Sequence, residues 1–258
     1  MYKLKIPKKT NYEKFFKSEG LTWMVKLSKE KKKLRDYRIN KNPHLPDLKD
    51  LYFLYQTIRL NNRTTILEYG CGWSTLVMHL ALMKNRKKNN NKFFSRCGNP
   101  YELFSVDASR KFIGIAKKRV ENYSKNAKKI NFYYSQVKMT KFNNRYCTEY
   151  KNHPLVNPDF IYLDAPSQWG VSNKIENFTT DHHSMMPMAC DILKYEHFLT
   201  PATIIVTDGR TANARFLIAN FQRKWKHLHI KQIDQHYFYL NEQALGKWNE
   251  EQINFYNQ

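Results

Sequence analysis

The chain has 258 residues, of which 41% are hydrophobic and 15% aromatic, and it carries a formal net charge of +22 at pH 7. This apolar content can build a core, which excludes a disordered chain, and the length suits one α/β domain with appendages. The excess of Lys and Arg indicates either an anionic partner, such as nucleic acid, a membrane or an acidic glycan, or a compositional bias spread over solvated surfaces.

Residues 1–60 are predicted to form a helical N-terminal extension that packs on the rest of the chain. Up to about residue 45 the segment is basic and aromatic, with weak helical periodicity through Trp23, Leu27 and Leu34. The run Asn42–Pro46 interrupts it, because proline disfavours helix both at its own position and before it. Asp47 is then predicted to cap a helix whose apolar face holds Leu51, Leu54, Tyr55 and Ile58.

No long apolar stretch occurs at the N-terminus, so we expect neither a signal peptide nor a transmembrane helix. The four cysteines form no CxxC pair and have no zinc-like spacing with the histidines, which is typical of reduced thiols. We therefore expect a cytoplasmic protein.

From residue 64 onwards short apolar strands alternate with amphipathic helices. The predicted strands are Thr65–Tyr69, Leu103–Asp107, Ile130–Tyr134, Asp159–Asp164, Thr203–Thr207, His229–Ile233 and His236–Leu240. The predicted helices are Ser74–Met83, Arg110–Tyr123, His183–Phe198 and Ala212–Trp225. This alternation predicts that residues 61–258 form one α/β domain, with a seven-stranded, mostly parallel sheet and helices on both faces. The short connection at Gln235–His236 predicts an antiparallel C-terminal edge strand.

The stretch ILEYGCGWST, residues 66–75, follows the first predicted strand and contains two closely spaced glycines. Gly70 would permit a tight turn, and Gly72 would let a ligand lie against the backbone. A dinucleotide motif would place a third glycine at Thr75, and Glu68 is a poor neighbour for a pyrophosphate. An acid here suits a cofactor with positive charge, and S-adenosylmethionine carries both a sulfonium and an ammonium group.

This pattern resembles the class I S-adenosylmethionine-dependent methyltransferases, in which an ExGxGxS-type turn follows the first strand of a Rossmann-like sheet. The resemblance implies that the cofactor binds at the turn formed by Glu68, Tyr69, Gly70, Cys71, Gly72, Ser74 and Thr75. It further implies that Asp107, with Ala108 beside it, holds the ribose, and that Ser135 and Gln136 contact adenine. Alternatively, Asp107 caps the following helix, and Ser135 and Gln136 are ordinary polar residues at a strand end.

Two acids, Asp164 and Asp208, end neighbouring predicted strands. Paired carboxylates suit a hard divalent cation such as Mg²⁺. The arrangement is similar to metal-dependent O-methyltransferases of the catechol and macrocin type, which implies that both acids are catalytic and bind metal. The catechol type has Asn after the second acid, but this chain has Gly209, so Asn213 or a residue of the 165–182 loop would have to complete the set. Alternatively, Asp164 contacts cofactor or substrate alone and Asp208 caps the next helix.

His182 and His183 follow the long 165–182 loop and are candidates for a general base, because the ordinary pKa of histidine is about 6.5. Asp181 could orient either imidazole. The alternative is an exposed helix start with Asp181 as its N-cap.

These features together predict an O-methyltransferase that acts on a sugar, a glycan or another small hydroxylated molecule, with S-adenosylmethionine as its cofactor and Mg²⁺ as a further candidate cofactor. Two alternatives remain open. The basic composition favours an RNA methyltransferase, although no Lys-Asp-Lys-Glu set marks ribose 2′-O transfer. A non-catalytic module on the same scaffold is the other.

Overall fold

The structure is a computed structural model that describes residues 2–30, 43–124 and 127–258. The helices are α1 Tyr12–Ser18, α2 Thr22–Ser28, α3 Leu48–Leu60, α4 Trp73–Lys88, α5 Arg110–Tyr123, α6 Asp191–Lys194, α7 Thr211–Asn220 and α8 Lys247–Asn257. The strands are β1 Thr65–Tyr69, β2 Glu102–Asp107, β3 Ile130–Tyr134, β4 Val137–Phe142, β5 Arg145–Tyr150, β6 Phe160–Leu163, β7 Ile204–Asp208, β8 Trp225–Ile230 and β9 Gln235–Leu240. The predicted periodicity at Leu34 lies outside the described residues.

Seven strands form one sheet in the order β3-β2-β1-β6-β7-β9-β8, which confirms the predicted fold class. The pairings from β3 to β7 are parallel, whereas β9 runs antiparallel to both of its neighbours. The β8–β9 hairpin therefore makes the antiparallel edge, with β9 lying second from the end. The strand order reverses between β1 and β6, and ligands of doubly wound sheets bind beyond such a reversal.

Alternate residues of the central strands face two hydrophobic cores, as expected for a sheet covered on both sides. Ile66 of β1 packs in one core, and its neighbour Leu67 packs in the other. The first core also contains Phe16, Met24 and Ile58, so the described part of the N-terminal extension shares it with the sheet. Asp47 caps α3 as predicted, since its side chain accepts from Lys49 N at 3.0 Å.

Within the described residues, no helix is both long and apolar enough to cross a bilayer.

The β4–β5 hairpin was not predicted from the sequence. Strands β4 and β5 pair as a separate two-stranded sheet, joined by Asn143 and Asn144, whose φ angles are 47° and 60°. Asn tolerates positive φ well, and two such residues are the requirement of a type I′ hairpin turn. The Asn-Asn pair between two alternating runs was the available signal.

Three other predicted elements differ from the structure. The helix predicted at 183–198 is reduced to α6, because Pro187 prevents helix before it. The helix predicted to reach Trp225 ends at Asn220, and the Glu196 carboxylate accepts the backbone N–H groups of the following turn. The strand predicted at 229–233 is shifted, since β8 covers 225–230 and residues 231–234 make the hairpin turn.

Gly70 directly follows β1 at the reversal point, and a glycine is required there for two reasons. Its φ is +95°, a conformation that L side chains rarely adopt. A Cβ at this position would also lie 2.6 Å from Ala165 Cβ, on the segment that follows β6. The absent side chain therefore lets the ends of the two strands approach each other.

We expect Gly70→Ala to lower the free energy of unfolding by roughly 2–4 kcal/mol, through backbone strain plus overpacking. Gly20→Ala is the matched control, because Gly20 also has positive φ, at 81°, but no atom lies within 4 Å of the position that its Cβ would take. Urea unfolding followed by circular dichroism measures the free energy of unfolding of both variants. Equal losses in the two variants would show that the contact with Ala165 has no energetic weight.

Candidate active site

A cavity of about 660 Å³ opens at the strand reversal, beyond the carboxyl ends of β1, β2, β6 and β7. Cavities of about 300–1,000 Å³ are typical of small-molecule sites. The turn after β1, the start of α5 and the segment after β6 form its walls. The residues 43–45 and the first turn of α3 also line it, so the N-terminal extension contributes to the site.

Glu68 lies behind the cavity wall and organises the turn. Its buried carboxyl group accepts hydrogen bonds from Ser74 Oγ at 2.6 Å, Thr75 Oγ1 at 2.7 Å and Ser105 Oγ at 2.6 Å. Thr75 Oγ1 in turn accepts from Gly72 N at 3.0 Å. Burial raises the pKa of Glu68 to about 7, although the three hydroxyl donors oppose this shift. Direct contact between Glu68 and a cationic ligand, as the sequence suggested, does not match this placement.

Asp107 ends β2 and lies on the cavity wall, beside Ala108. Its carboxylate accepts from Cys71 N at 2.9 Å and from Ser109 N at 2.6 Å, which ties the turn after β1 to the turn after β2. The helix cap of α5 is Ser109, whose side chain accepts from Phe112 N, so capping is not the role of Asp107. Burial raises the pKa of Asp107 above its ordinary value.

The cavity is acidic in a chain that is strongly basic overall. Six of the 22 Asp and Glu residues line it, namely Asp47, Asp50, Asp107, Asp164, Asp181 and Asp208. Among the described wall residues, Arg119 is the one Arg or Lys. This wall is therefore suited to a ligand that carries positive charge.

Asp164 and Asp208 occupy the floor of the cavity, at the ends of β6 and β7. Removal from bulk water raises the pKa of Asp164 to about 7; Arg210 opposes the rise, whereas Glu68 and Asp107 add to it. The pKa of Asp208 is also raised to about 7, by burial and by the Asp164 charge. Tyr162 Oη donates to Asp208 at 2.7 Å, and the helix cap of α7 is Arg210, so Asp208 does not cap that helix.

Two polar atoms of cavity-lining residues are buried without a hydrogen-bond partner among the described residues: Tyr150 Oη and Arg119 Nη1. The Arg119 guanidinium lies 3.5 Å from the ring centroid of Trp73, which holds its plane in a defined orientation. Buried polar groups are nearly always paired in native structures. The two unpaired groups therefore indicate a ligand that brings hydrogen-bond acceptors into the cavity.

Several predicted cofactor residues lie away from the cavity. Tyr69 does not line the cavity: its ring stacks on the wall residue Tyr150, and its hydroxyl lies 2.9 Å from Tyr195 Oη. Ser135 is buried, and its hydroxyl accepts from Asn152 N at 2.8 Å, while exposed Gln136 accepts from Lys151 Nζ at 2.9 Å. The chain turns from β3 directly into the β4–β5 hairpin, so Val137 and Tyr150 of this hairpin line the cavity, whereas Ser135 and Gln136 do not.

His182 and His183 are exposed, and neither lines the cavity. His183 packs edge-on against Trp169, a wall residue, with 4.9 Å between ring centroids. Asp181 reaches the cavity, but its backbone N–H bonds to Thr179 Oγ1 and no helix follows it, so the N-cap alternative is wrong. The geometry therefore favours the floor carboxylates over the two histidines as proton acceptors.

The residues around Asp164 and Asp208 provide an incomplete set for a divalent cation. Asn213, the expected further ligand, is buried, and its amide bonds Ala189 N at 2.9 Å and Ala189 O at 3.0 Å. Within the described residues, the two acids belong to no group of three His, Cys, Asp or Glu ligand atoms lying within 4.8 Å of one another. The neighbouring Arg210 charge also opposes a cation at Asp164.

The sequence-predicted residues that the structure brings together on the wall are Gly70, Cys71, Gly72, Ser74, Asp107, Ala108, Asp164 and Asp208. Tyr150, Arg119, Asp47 and Asp50 also line the cavity, and none of them was predicted from the sequence as a site residue. The Asn-Asn turn signal of the β4–β5 hairpin could have pointed to Tyr150. For Arg119 no sequence signal was available, because it lies in the middle of a long helix.

Comparison with known proteins finds similar folds among solved structures. The first of three is an O-methyltransferase from Bacillus cereus in complex with SAH, with 15% identity, a TM-score of 0.46, and coverage of 89% of this chain and 96% of that chain. The O-methyltransferase TomG from Streptomyces achromogenes has 14% identity and a TM-score of 0.45, over 90% and 100% of the two chains. CalS11, a TDP-rhamnose 3′-O-methyltransferase of calicheamicin biosynthesis, has 9% identity and a TM-score of 0.46, with coverage of 92% of this chain and 98% of that chain.

No family model matches the chain, and no curated protein matches it. The likeness to the solved structures concerns the fold.

We expect the stability that Glu68 contributes to decrease as the pH rises from about 4.5 to about 7. In this range the unfolded state releases a proton that the buried carboxyl group retains. The free energy of unfolding of the wild type, minus that of Glu68→Gln, should therefore fall by about 3 kcal/mol, because each pKa unit corresponds to about 1.4 kcal/mol. Urea unfolding at pH 4.5 to 8 measures it.

Glu121→Gln is the control for removing one exposed carboxylate. A difference between wild type and Glu68→Gln that stays constant over this range would contradict the raised pKa.

Proposed function

We propose that the chain is an S-adenosylmethionine-dependent methyltransferase that acts on a small hydroxylated acceptor, such as a sugar. The observation that carries the proposal is the cavity at the strand reversal, in which an acidic wall lies together with two unpaired buried donors. The wall requires positive charge in the ligand, and the donors require acceptor atoms.

S-adenosylmethionine meets both requirements. Its sulfonium and ammonium groups match the aspartates, and its carboxylate, ribose and adenine supply acceptors for Arg119 and Tyr150. Gly72 supports the proposal, because a Cβ there would meet only Ser74 Oγ, at 3.8 Å. Protein packing thus does not require a glycine, whereas a ligand lying against the backbone does.

When bound, S-adenosylmethionine supplies a methyl group activated by the sulfonium charge. The chain must then position an acceptor in line with that group and remove its proton. Asp164 is suited to the proton transfer because its pKa of about 7 leaves a large unprotonated fraction at neutral pH. Asp208, bonded to Tyr162, stands beside it and can bind a second hydroxyl of the acceptor.

A small neutral or cationic acceptor fits the cavity better than RNA. A polyanion would have to approach six aspartates, and each phosphate near them would be repelled. The chain's positive charge can still bind RNA elsewhere on the surface. RNA methylation therefore ranks second, and methylation assays with RNA at low and high salt separate the two, since phosphate contacts weaken steeply with salt.

A divalent metal is the alternative role for the floor carboxylates. Asp164 and Asp208 are the residues that would hold Mg²⁺, and an ion there would lower the pKa of an acceptor hydroxyl. The incomplete ligand set leads us to propose the carboxylate alone as the proton acceptor. Full activity after dialysis against EDTA supports this mechanism, and loss of activity that Mg²⁺ restores supports the metal.

Isothermal titration calorimetry with S-adenosylmethionine and S-adenosylhomocysteine tests cofactor binding. We expect saturable binding by the wild type and a loss of about tenfold or more in Gly72→Ala, equivalent to about 1.4 kcal/mol, because the new methyl group occupies ligand space. Gly98→Ala is the matched control, since Gly98 does not line the cavity and a Cβ added there would meet no atom within 4 Å. Absence of binding at millimolar cofactor would refute the proposed function.

Methyl transfer to a panel of sugars and other hydroxylated acceptors tests catalysis. We expect kcat to rise with pH as Asp164 loses its proton, with a midpoint at or below about pH 7 and a plateau above that midpoint; a bound sulfonium cation lowers the midpoint further. Asp164→Asn should reduce kcat by about 10²-fold or more, and the cofactor titration should still show binding. A variant with wild-type kcat would remove Asp164 from the mechanism.

Cofactor binding with no turnover on sugar, amine or RNA acceptors would instead identify a non-catalytic module.

A further inference from the structure

A second cluster of chemically active side chains lies outside the cavity, at the β8–β9 hairpin. His229 of β8 and His236 of β9 are directly opposite each other, and Asp234 lies in the turn that joins the strands. One ligand atom from each of the three residues lies within 4.8 Å of the others. Neither the cavity nor the proposed methyl transfer uses these residues.

Three distances between the polar atoms of the cluster are close to those of a tetrahedral metal site. His229 Nε2 lies 3.1 Å from Asp234 Oδ1, and Thr211 Oγ1 lies 3.0 Å from His236 Nε2 and 3.4 Å from Asp234 Oδ1. Ligands bound to Zn²⁺ at about 2.0–2.1 Å in a tetrahedron are separated by about 3.3 Å. His229, Asp234 and His236 belong to one hairpin, on β8, in the turn and on β9, and Thr211 at the start of α7 is brought to them by tertiary packing.

The surroundings of His236 are those of a metal-binding histidine. Its Nδ1 lies 2.9 Å from His227 Nε2, and its Nε2 lies within hydrogen-bond distance of the Thr211 hydroxyl. In the tautomer that donates Nδ1–H to His227, Nε2 keeps its lone pair and faces the Thr211 hydroxyl. Histidine ligands commonly hold the second ring nitrogen in this way, which fixes the tautomer and ring orientation.

We propose that His229, Asp234 and His236 form a binding site for a borderline divalent transition ion, Zn²⁺ above all. Two imidazoles and one carboxylate suit Zn²⁺ and disfavour Mg²⁺, which prefers oxygen ligands. The site holds three protein ligands and leaves the fourth position to Thr211 or water. The imidazole rings are stacked at 3.8 Å between centroids, so binding requires the partly exposed His229 ring to tilt towards the ion.

The position of the cluster gives the ion a structural consequence. Gly209 N donates to Asp234 O at 2.9 Å, and Gly209 directly follows Asp208 on the cavity floor. An ion bound by Asp234 of the turn and by Thr211 at the start of α7 would join these two segments and so restrain the residues around Asp208. We therefore expect Zn²⁺ to raise the melting temperature of the metal-stripped protein.

The test is a titration of the chelator-dialysed full chain with Zn²⁺, by calorimetry, and with Co²⁺, whose visible absorption reports tetrahedral coordination. We expect saturable binding of one ion per chain and at least a tenfold weaker Kd in His229→Ala and in Asp234→Asn. Asn tolerates the φ of 47° that Asp234 adopts, so this variant keeps the turn. Mg²⁺ at equal concentration should give no signal from this cluster.

Two controls locate the ion. His197→Ala removes an exposed histidine outside the hairpin, and Asp164→Asn removes a floor carboxylate; both should retain wild-type affinity for Zn²⁺. Absence of Zn²⁺ binding in the wild type would overturn the proposal. So would unchanged affinity in His229→Ala and Asp234→Asn, or affinity lost in Asp164→Asn, which would assign the ion to the cavity.

Discussion

The buried carboxyl group of Glu68 is the interaction on which the site depends. Three hydroxyl groups, from Ser74, Thr75 and Ser105, converge on it and join β1, β2 and the start of α4. Burying a carboxyl group without hydrogen-bond partners would destabilise the folded state by several kcal/mol. The buried position of Glu68 therefore depends on the three hydroxyl groups. Together they set the path of the chain through Gly70 to Gly72, and hence the shape of the cavity wall.

The distribution of charge separates the site from the rest of the molecule. The chain as a whole carries a formal net charge of +22, yet six aspartates line one cavity. Two of them, Asp164 and Asp208, have a pKa raised to about 7. Clustering of like charge in a partly enclosed space is unfavourable to folding, because each carboxylate disfavours ionisation of its neighbours. Such clusters are expected where ligand binding or proton transfer uses them, which fits a cationic cofactor and a carboxylate base.

Much of the sheet and part of the site were predictable, because the signals were local. Strand–helix alternation marked β1, β2, β3, β6 and β7, and polar residues at the strand ends marked Asp107, Asp164 and Asp208. Predictions failed where contacts distant in sequence decided the outcome. The Glu196 carboxylate, for example, accepts the backbone N–H groups after Asn220 and ends α7 before β8 begins. Tyr150 and Arg119 reach the cavity only because a hairpin and a helix pack beside it.

The sequence by itself determined the fold class, the turn at residues 68–75 and the acids that end β2, β6 and β7, since strand periodicity, glycine and strand-end polarity act over a few residues. Tertiary structure alone decided which of these groups meet. In the tertiary structure the Glu68 carboxyl group is buried behind the cavity wall, where it bonds Ser74 Oγ. His182 and His183 lie on the surface, and the Asn213 side chain bonds the Ala189 backbone. The tertiary structure also brought His229, Asp234 and His236 within reach of Thr211. Side-chain direction and partner choice depend on packing across the whole sheet, and no local pattern encodes them.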